Sequence, residues 1–264
     1  MTLIDVNAFV GGYPFRRVPH TGPSDLLAGM DRAGIDLAWV SHLPGIFWRD
    51  PTEGNAFLLD LAAGEPRFAA VPAVHPGRAH WEEALDQACD AGCPAVRCDP
   101  AFHGLDPAGV AMRNLARACG ERGLPLMLAV RLEDARQRHP NDVAAELNGA
   151  ALRSLVRSHP AVRLIVTHAD RGMIAEVHFG STGEEACRIS WDICWLWGPP
   201  EGHLEEVVKA MRAERFLFGT GQPLRIPESS VAKLELTDLD SESLTAIGSG
   251  NAESLHLPRQ GHRF

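Results

Sequence analysis

Eight short apolar runs, each followed by a longer segment, repeat from one end of the 264-residue chain to the other. The runs occupy residues 3–9, 37–42, 68–75, 95–97, 125–131, 162–167, 187–193 and 216–219. Runs this short and continuously apolar suit strands covered on both faces, as in a parallel sheet with helical crossovers. The intervening segments carry the helical period. Trp81, Ala84, Leu85, Ala88 and Cys89 recur at i, i+3, i+4, i+7 and i+8, and Leu204, Val207, Val208 and Met211 repeat the pattern. Leu26, Leu27, Met30 and Ala33 do the same after the first run. Gly34, Gly92 and Gly123 each stand just before a run, where a left-handed residue closes the preceding helix.

Eight such units in a chain of this length predict an α/β fold, a (β/α)8 barrel of about 250 residues, as one domain over residues 1–264. An open doubly wound sheet is the alternative, but no G-x-G-x-x-G follows an early strand. Residues 132–150 exceed a plain βα loop and read as an insertion near the site. Residues 260–264 read as a frayed tail.

Formal net charge is −9, which argues against nucleic acid or an anionic membrane as the main partner. No apolar run reaches the roughly 18 residues of a membrane span. Lys209 and Lys233 are the only lysines, the other 23 of the 25 basic residues being arginine. Both fall in polar stretches that read as helix surface, which speaks against Schiff-base chemistry. The six cysteines lack a zinc spacing and sit in apolar surroundings, reading as buried small hydrophobes. The first residues begin directly as a strand, with no basic and apolar leader. The expected location is cytoplasmic.

In a barrel of this kind the active site lies at the C-terminal ends of the strands. Those positions read Asn7 and Phe9; His42; His75; Arg97 and Asp99, with His103 beyond; Arg131, Glu133 and Asp134; His168, Asp170 and Arg171; Asp192; Thr220 and Gln222. Apolar strands rarely end in ionisable groups, so the recurrence points to a site. His168, delivered by a buried strand with a carboxylate two residues on, is the leading acid or base. His42 and His75 have an equally ready reading as hydrogen-bonded structural residues.

Arg97 and Arg131 end consecutive strands and Arg171 follows His168; forked guanidiniums suit a carboxylate or phosphate. Each also has a carboxylate nearby in sequence with which it could pair. Cys98 has no implied partner histidine, and Gly219-Thr220-Gly221 reads more readily as a tight turn than as a phosphate cradle.

At these residues the chain resembles the amidohydrolase superfamily, in its amidohydrolase-related branch of small metal-dependent hydrolases and decarboxylases. Ile4-Asp5-Val6-Asn7-Ala8-Phe9 stands where the family has Asp-x-His-x-His. Residues 163–169 resemble the strand carrying a later histidine. Residues 215–223 resemble Arg-x-Leu-Phe-Gly-Ser-Asp-x-Pro, and residues 250–255 resemble the family's Gly-Asn-Ala ending.

The departures bear on mechanism. Asn7 and Phe9 replace the two first-strand histidines, Ala129 the fifth-strand histidine and Gly221 the terminal aspartate; His168 alone keeps its residue type. Zinc catalysis normally needs three protein ligands, so the family's metal site is not carried over, and neither metal nor cofactor is expected. A site rebuilt from His42, His75, His103 and His168 is the alternative. The family includes a metal-independent lactonase acting on a pyrone dicarboxylate, and metal-bearing relatives that decarboxylate, hydrate enoic acids or open sugar lactones.

The resemblance and the strand ends together imply a metal-independent enzyme that hydrolyses, or otherwise cleaves, a small anionic carboxylate-bearing substrate. His168 would be base or acid, oriented by Asp170 or Asp192. Arg97 and Arg131 would clamp the anion, and Trp48 and Arg49 would wall the pocket. Asn7, His42, His75, His103, Arg171, Thr220 and Gln222 would complete it. An inactive barrel kept for binding or assembly is the other class, marked by strand-end charges all tied into mutual salt bridges. Relatives suggest a homodimer.

Overall fold

A computed structural model describes residues 1–256 of the chain; the expected tail at 260–264 lies outside them. Eight parallel strands follow one another: β1 (Ile4–Val10), β2 (Leu37–His42), β3 (Phe68–Ala70), β4 (Val96–Arg97), β5 (Leu126–Ala129), β6 (Leu164–Thr167), β7 (Ile189–Asp192) and β8 (Phe216–Leu217). They pair in two arcs, β1-β2-β3 and β4-β5-β6-β7-β8. A bridge between Ala73 and Arg97 joins the arcs on one side. On the other, Val6 donates to Phe218 O, Gly221 to Asn7 O and Phe9 to Gln222 O. The ring is a closed (β/α)8 barrel, as the period predicts.

Helices α1 (Pro23–Ala33), α2 (Thr52–Gly64), α3 (Trp81–Asp90), α4 (Val110–Arg122), α5 (Gly149–Val156), α6 (Arg171–Phe179), α7 (Gly183–Ala186), α8 (His203–Met211) and α9 (Glu228–Leu236) form the outer layer. Their ends follow local chemistry. Asp25 reaches back to Gly22 N at the start of α1, and Asn148 and Asp170 cap α5 and α6. Gly34 and Gly123 close α1 and α4 in the left-handed region. Leu85, Ala88, Leu204, Val207, Val208 and Met211, placed inward by the helical period, are buried.

The barrel interior is layered. Ile4, Val6, Trp39, Val71, Met127, Ile165 and Leu217 plug its lower half. At their C-terminal ends the strands turn polar, burying Asn7, Arg97, Thr167, Asp192 and Thr220. An aromatic roof of Phe9, Tyr13, Phe15, Phe47 and Phe102 covers them. A bulge in β1 between Asp5 and Ala8 makes this layering possible. Below it Ile4 and Val6 join the interior plug; above it Ala8 and Val10 pack against the helices while Phe9 joins the roof.

Residues 132–150 contain no regular element before α5 begins. The insertion folds over the strand ends and is tied down there. Arg16 pairs with Glu133 at 2.8 Å, Tyr13 Oη donates to Asp142 at 3.3 Å, and Arg131 pairs with Glu146 at 3.0 Å.

Candidate active site at the open ends of the strands

His168 stands in the left-handed region (φ 59°), directly after β6, and is wholly buried. A non-glycine residue held there is strained, and such strain clusters at functional sites. Its backbone N–H donates to Asp192 Oδ1 at 2.9 Å, and Asp192 Oδ2 accepts Asn7 Nδ2 at 2.8 Å. Asp192 thereby fixes the backbone of β6 and the side chain of β1 together. The imidazole Nδ1 meets Thr167 Oγ1 at 3.2 Å, and Nε2 is buried with no hydrogen-bond partner. Burial foremost, then the charges of Arg97, Arg225 and Arg131, holds the His168 pKa well below the ordinary imidazole value. The ring is neutral near neutral pH, with one nitrogen free to act.

Phe9 stacks against this ring at 6.4 Å between centroids, and Trp195 meets it edge-on at 6.2 Å. Beyond Trp195 opens a cavity of about 410 Å³, lined among others by Arg131, Asp170, Cys194, Trp195, Arg225 and Lys233. The Trp195 ring lies under two guanidiniums, with Arg225 Cζ 4.2 Å and Arg131 Cζ 5.1 Å from its centroid. Its Nε1–H is buried and unpartnered. Arg225, half-buried, makes no ion pair among the described residues.

Several sequence expectations need correcting. Arg97 is fully buried and paired with Asp99 at 2.9 Å, below Phe9, so it cannot clamp a substrate in the cavity. Arg171 bonds Glu206 on α8, outside the site. Arg131 does line the cavity but is already paired with Glu146 and Asp170. Asp170 caps Met173 N and does not reach the His168 ring; Asp192 orients that residue through its backbone, and Thr167 orients its ring.

Thr220 and Gln222 are buried and held by Asp5, whose carboxylate also accepts Asn7 N. They build the turn after β8 and do not line the cavity beside Trp195. Asn7 is likewise engaged by Asp192.

The remaining histidines stand apart from His168. His42 packs against Trp48 and Phe57, at 5.0 and 5.5 Å, and burial lowers its pKa. His75 and His103 stack face to face at 4.4 Å, both with pKa values lowered first by burial. Trp48 is part of that flank, and the Arg49 carbonyl accepts from Arg78. None of these lines the cavity beside Trp195. Lys233, expected on a helix surface, turns inward: its ammonium donates to Ile193 O at 3.0 Å and Cys194 O at 2.8 Å. Both carbonyls hold it as a strand-end cap, and Lys209 is exposed as expected.

Sequence reasoning missed Arg225, Trp195 and Asp5. Asp5 was visible as the first letter of the first-strand motif. Arg225 and Trp195 follow the ends of β8 and β7 closely enough to have been read as strand-end groups.

The donors at the strand ends do not suit a metal ion. Asn7, Phe9, Ala129 and Gly221 supply no imidazole or carboxylate, and Asn7 is already bonded to Asp192. Among the described residues no group of three or more His, Cys, Asp or Glu could hold a metal ion. The set rebuilt from His42, His75, His103 and His168 is not assembled. The family's metal does not fit this site.

A family model described as amidohydrolase matches residues 12–255, so the chain belongs to the amidohydrolase family of enzymes. Among solved structures it is similar to 5-carboxyvanillate decarboxylase from Sphingomonas paucimobilis, at 15% identity, TM-score 0.74, with 97% of this chain and 98% of that chain covered. A dihydroxybenzoic acid decarboxylase from Polaromonas, with bound manganese and the inhibitor 2-nitroresorcinol, matches at 15% identity and TM-score 0.73, covering 97% and 96%. A putative 2-pyrone-4,6-dicarboxylic acid hydrolase from Pseudomonas putida matches at 18% identity and TM-score 0.69, covering 97% of both chains. At these identities the likeness shows the barrel fold. No curated protein matches the chain.

Proposed function

We propose that this chain cleaves a small carboxylate-bearing substrate in the cavity beside Trp195, without a bound metal, by hydrolysis of a cyclic ester or amide. The observation that carries the reading is a neutral, buried imidazole with an unpartnered Nε2, placed behind an unpaired guanidinium. The similar structures support the substrate class, since their names include carboxylated aromatics and a pyrone dicarboxylate.

The chemistry follows from the residues. The substrate carboxylate pairs with Arg225 and draws it off Trp195, opening the way to His168. His168 Nε2 takes a proton from water as the hydroxide adds to the substrate carbonyl. The Nε–H of Arg131, which its two ion pairs leave without a partner, and the Trp195 Nε1–H supply the donors for the oxygen on which negative charge develops. Collapse breaks the ring C–O or C–N bond, and the leaving atom takes the proton back from His168.

A panel of carboxylate-bearing lactones, cyclic amides and aromatic acids, assayed in chelator for ring opening and for CO₂ release, tests this. Ring opening that is lost in His168→Ala is the expected result. CO₂ release instead would move the reaction to decarboxylation. Full turnover in both His168→Ala and Arg225→Ala would overturn the site assignment. Tight binding with no turnover would leave the barrel as a binding protein.

A further inference from the structure

Arg97 is a charge sealed inside the barrel with no exposure to solvent. Its Nε donates to Asp99 Oδ2 at 2.9 Å, which neutralises one edge of the guanidinium. The other edge faces the barrel axis. Nη1 lies 3.5 Å from Asn7 Oδ1 and 3.4 Å from Ser41 Oγ, and Nη2 lies 3.5 Å from Thr167 Oγ1. The Cζ atom sits 4.6 Å over the Phe9 ring. Asn7 and Phe9 are the residues standing at the two first-strand ligand positions, so the guanidinium is packed against both replacements at once.

We propose that Arg97 is the resident cation of this barrel, set against the vacated first-strand ligand positions, and that Thr167, held between Arg97 and Leu128 O, sets which nitrogen of His168 carries the proton. The inference rests on the reading of His168 as the base. Its first half is steric and electrostatic. Phenyl and carboxamide groups replace two donors, and their free faces are turned to a guanidinium. An imidazole at position 9 would have to share its place with a fixed positive charge.

The second half is a count of protons. A guanidinium only donates, so Arg97 Nη2 occupies one lone pair of Thr167 Oγ1. Leu128 O, 3.5 Å away, can only accept, so it takes the hydroxyl proton. The remaining lone pair accepts Nδ1–H of His168 at 3.2 Å. Nε2 is left as a bare lone pair, the form a base requires. Arg97 touches no substrate in this scheme and is a positioning residue.

The test reads His168 directly by long-range nitrogen–proton correlation in enzyme labelled with ¹⁵N-histidine, the signal assigned by its loss in His168→Gln. The wild type is expected to show the Nδ1-protonated pattern near neutral pH, and excess MnCl₂ should leave that signal sharp. In Arg97→Met the two nitrogen shifts should exchange or average. If that variant fails to fold because Asp99 is left unpaired, Arg97→Met/Asp99→Leu removes both charges, and Thr167→Val breaks the relay with both charges in place. A His168 pattern unchanged by these replacements overturns the proposal, as does broadening of the wild-type signal by stoichiometric Mn²⁺. The readout is a resonance and not a rate, so it fails separately from the assignment of His168 as the base.

Discussion

The Nε2 atom of His168 faces the backbone of Gly221, and a Cβ built on that glycine would stand 3.3 Å from it. Gly221 has φ +73°, a left-handed conformation that costs an L side chain roughly 1–2 kcal/mol. The resemblance places an aspartate at this position in relatives. Here the imidazole crowds that position, and the turn around it is held by Asp5 through Thr220 and Gln222.

Restoring the family residue should therefore not restore a metal site. Gly221→Asp is expected to lower stability by about 2 kcal/mol, from conformational strain and displacement of His168. Urea unfolding of the two proteins checks the cost, and Mn²⁺ titration by calorimetry checks the site. A variant of wild-type stability that binds the ion would show that the loss of the aspartate alone removed the metal.

Arg225→Ala should raise KM for the carboxylate substrate about 10–100-fold with a smaller change in kcat. That corresponds to a charge-assisted hydrogen bond of about 1.5–3 kcal/mol. Arg225→Lys should fall between the two, because an ammonium keeps the charge without the fork. An unchanged KM in Arg225→Ala would move the anion site elsewhere.

His42, His75, His103 and His168 all have pKa values held below the ordinary imidazole value, in each case first by burial. The unfolded chain takes up protons at about pH 6.5, before the folded one does. Stability due to these groups is therefore fully present above that pH and is lost as pH falls below it. Tm measured from pH 8 to pH 5 should be level and then decline. The decline should be shallower in His103→Phe, which removes one of the stacked pair. Because the raised pKa values of Asp5 and Asp192 act in the opposite sense, the comparison between the two proteins is the readout: a decline as steep in His103→Phe as in the wild type would contradict the buried, neutral assignment.

Asp5 receives Asn7 N, Thr220 N, Thr220 Oγ1 and Gln222 Nε2 while wholly buried. Burial raises its pKa and these donors oppose the rise. Asp5→Ala leaves four buried donors without an acceptor and should cost more than about 3 kcal/mol. Asp5→Asn should cost less, because one oxygen remains. Chemical denaturation distinguishes them, and equal stabilities would show that the turn holds itself.

The barrel was legible in the sequence because its cause is periodic. Strands buried on both faces and helices buried on one leave different spacings, and Gly34 and Gly123 mark the changeovers as read. The third strand shows the limit. The apolar run 68–75 continues, but regular pairing stops at Ala70, since Pro72 cannot donate and Ala73 instead bridges to Arg97.

The site was less legible, because a charge's partner is a tertiary fact. Arg171 ends at Glu206 on another helix, and nothing around Arg171 in sequence says so. Arg97 ends a strand as a substrate clamp would, yet an aromatic side chain from β1 lies over it. What the sequence did carry was the loss of donor types at positions 7, 9, 129 and 221. A phenyl ring, a methyl group and a glycine offer a metal no donor wherever the fold places them.

The metal content of the working enzyme tests the central claim most directly. Protein purified without chelator should contain manganese, zinc and iron far below one ion per chain, and ring opening should persist after chelation and dialysis. One bound ion per chain, with activity that vanishes with the chelator and returns with Mn²⁺, would contradict it.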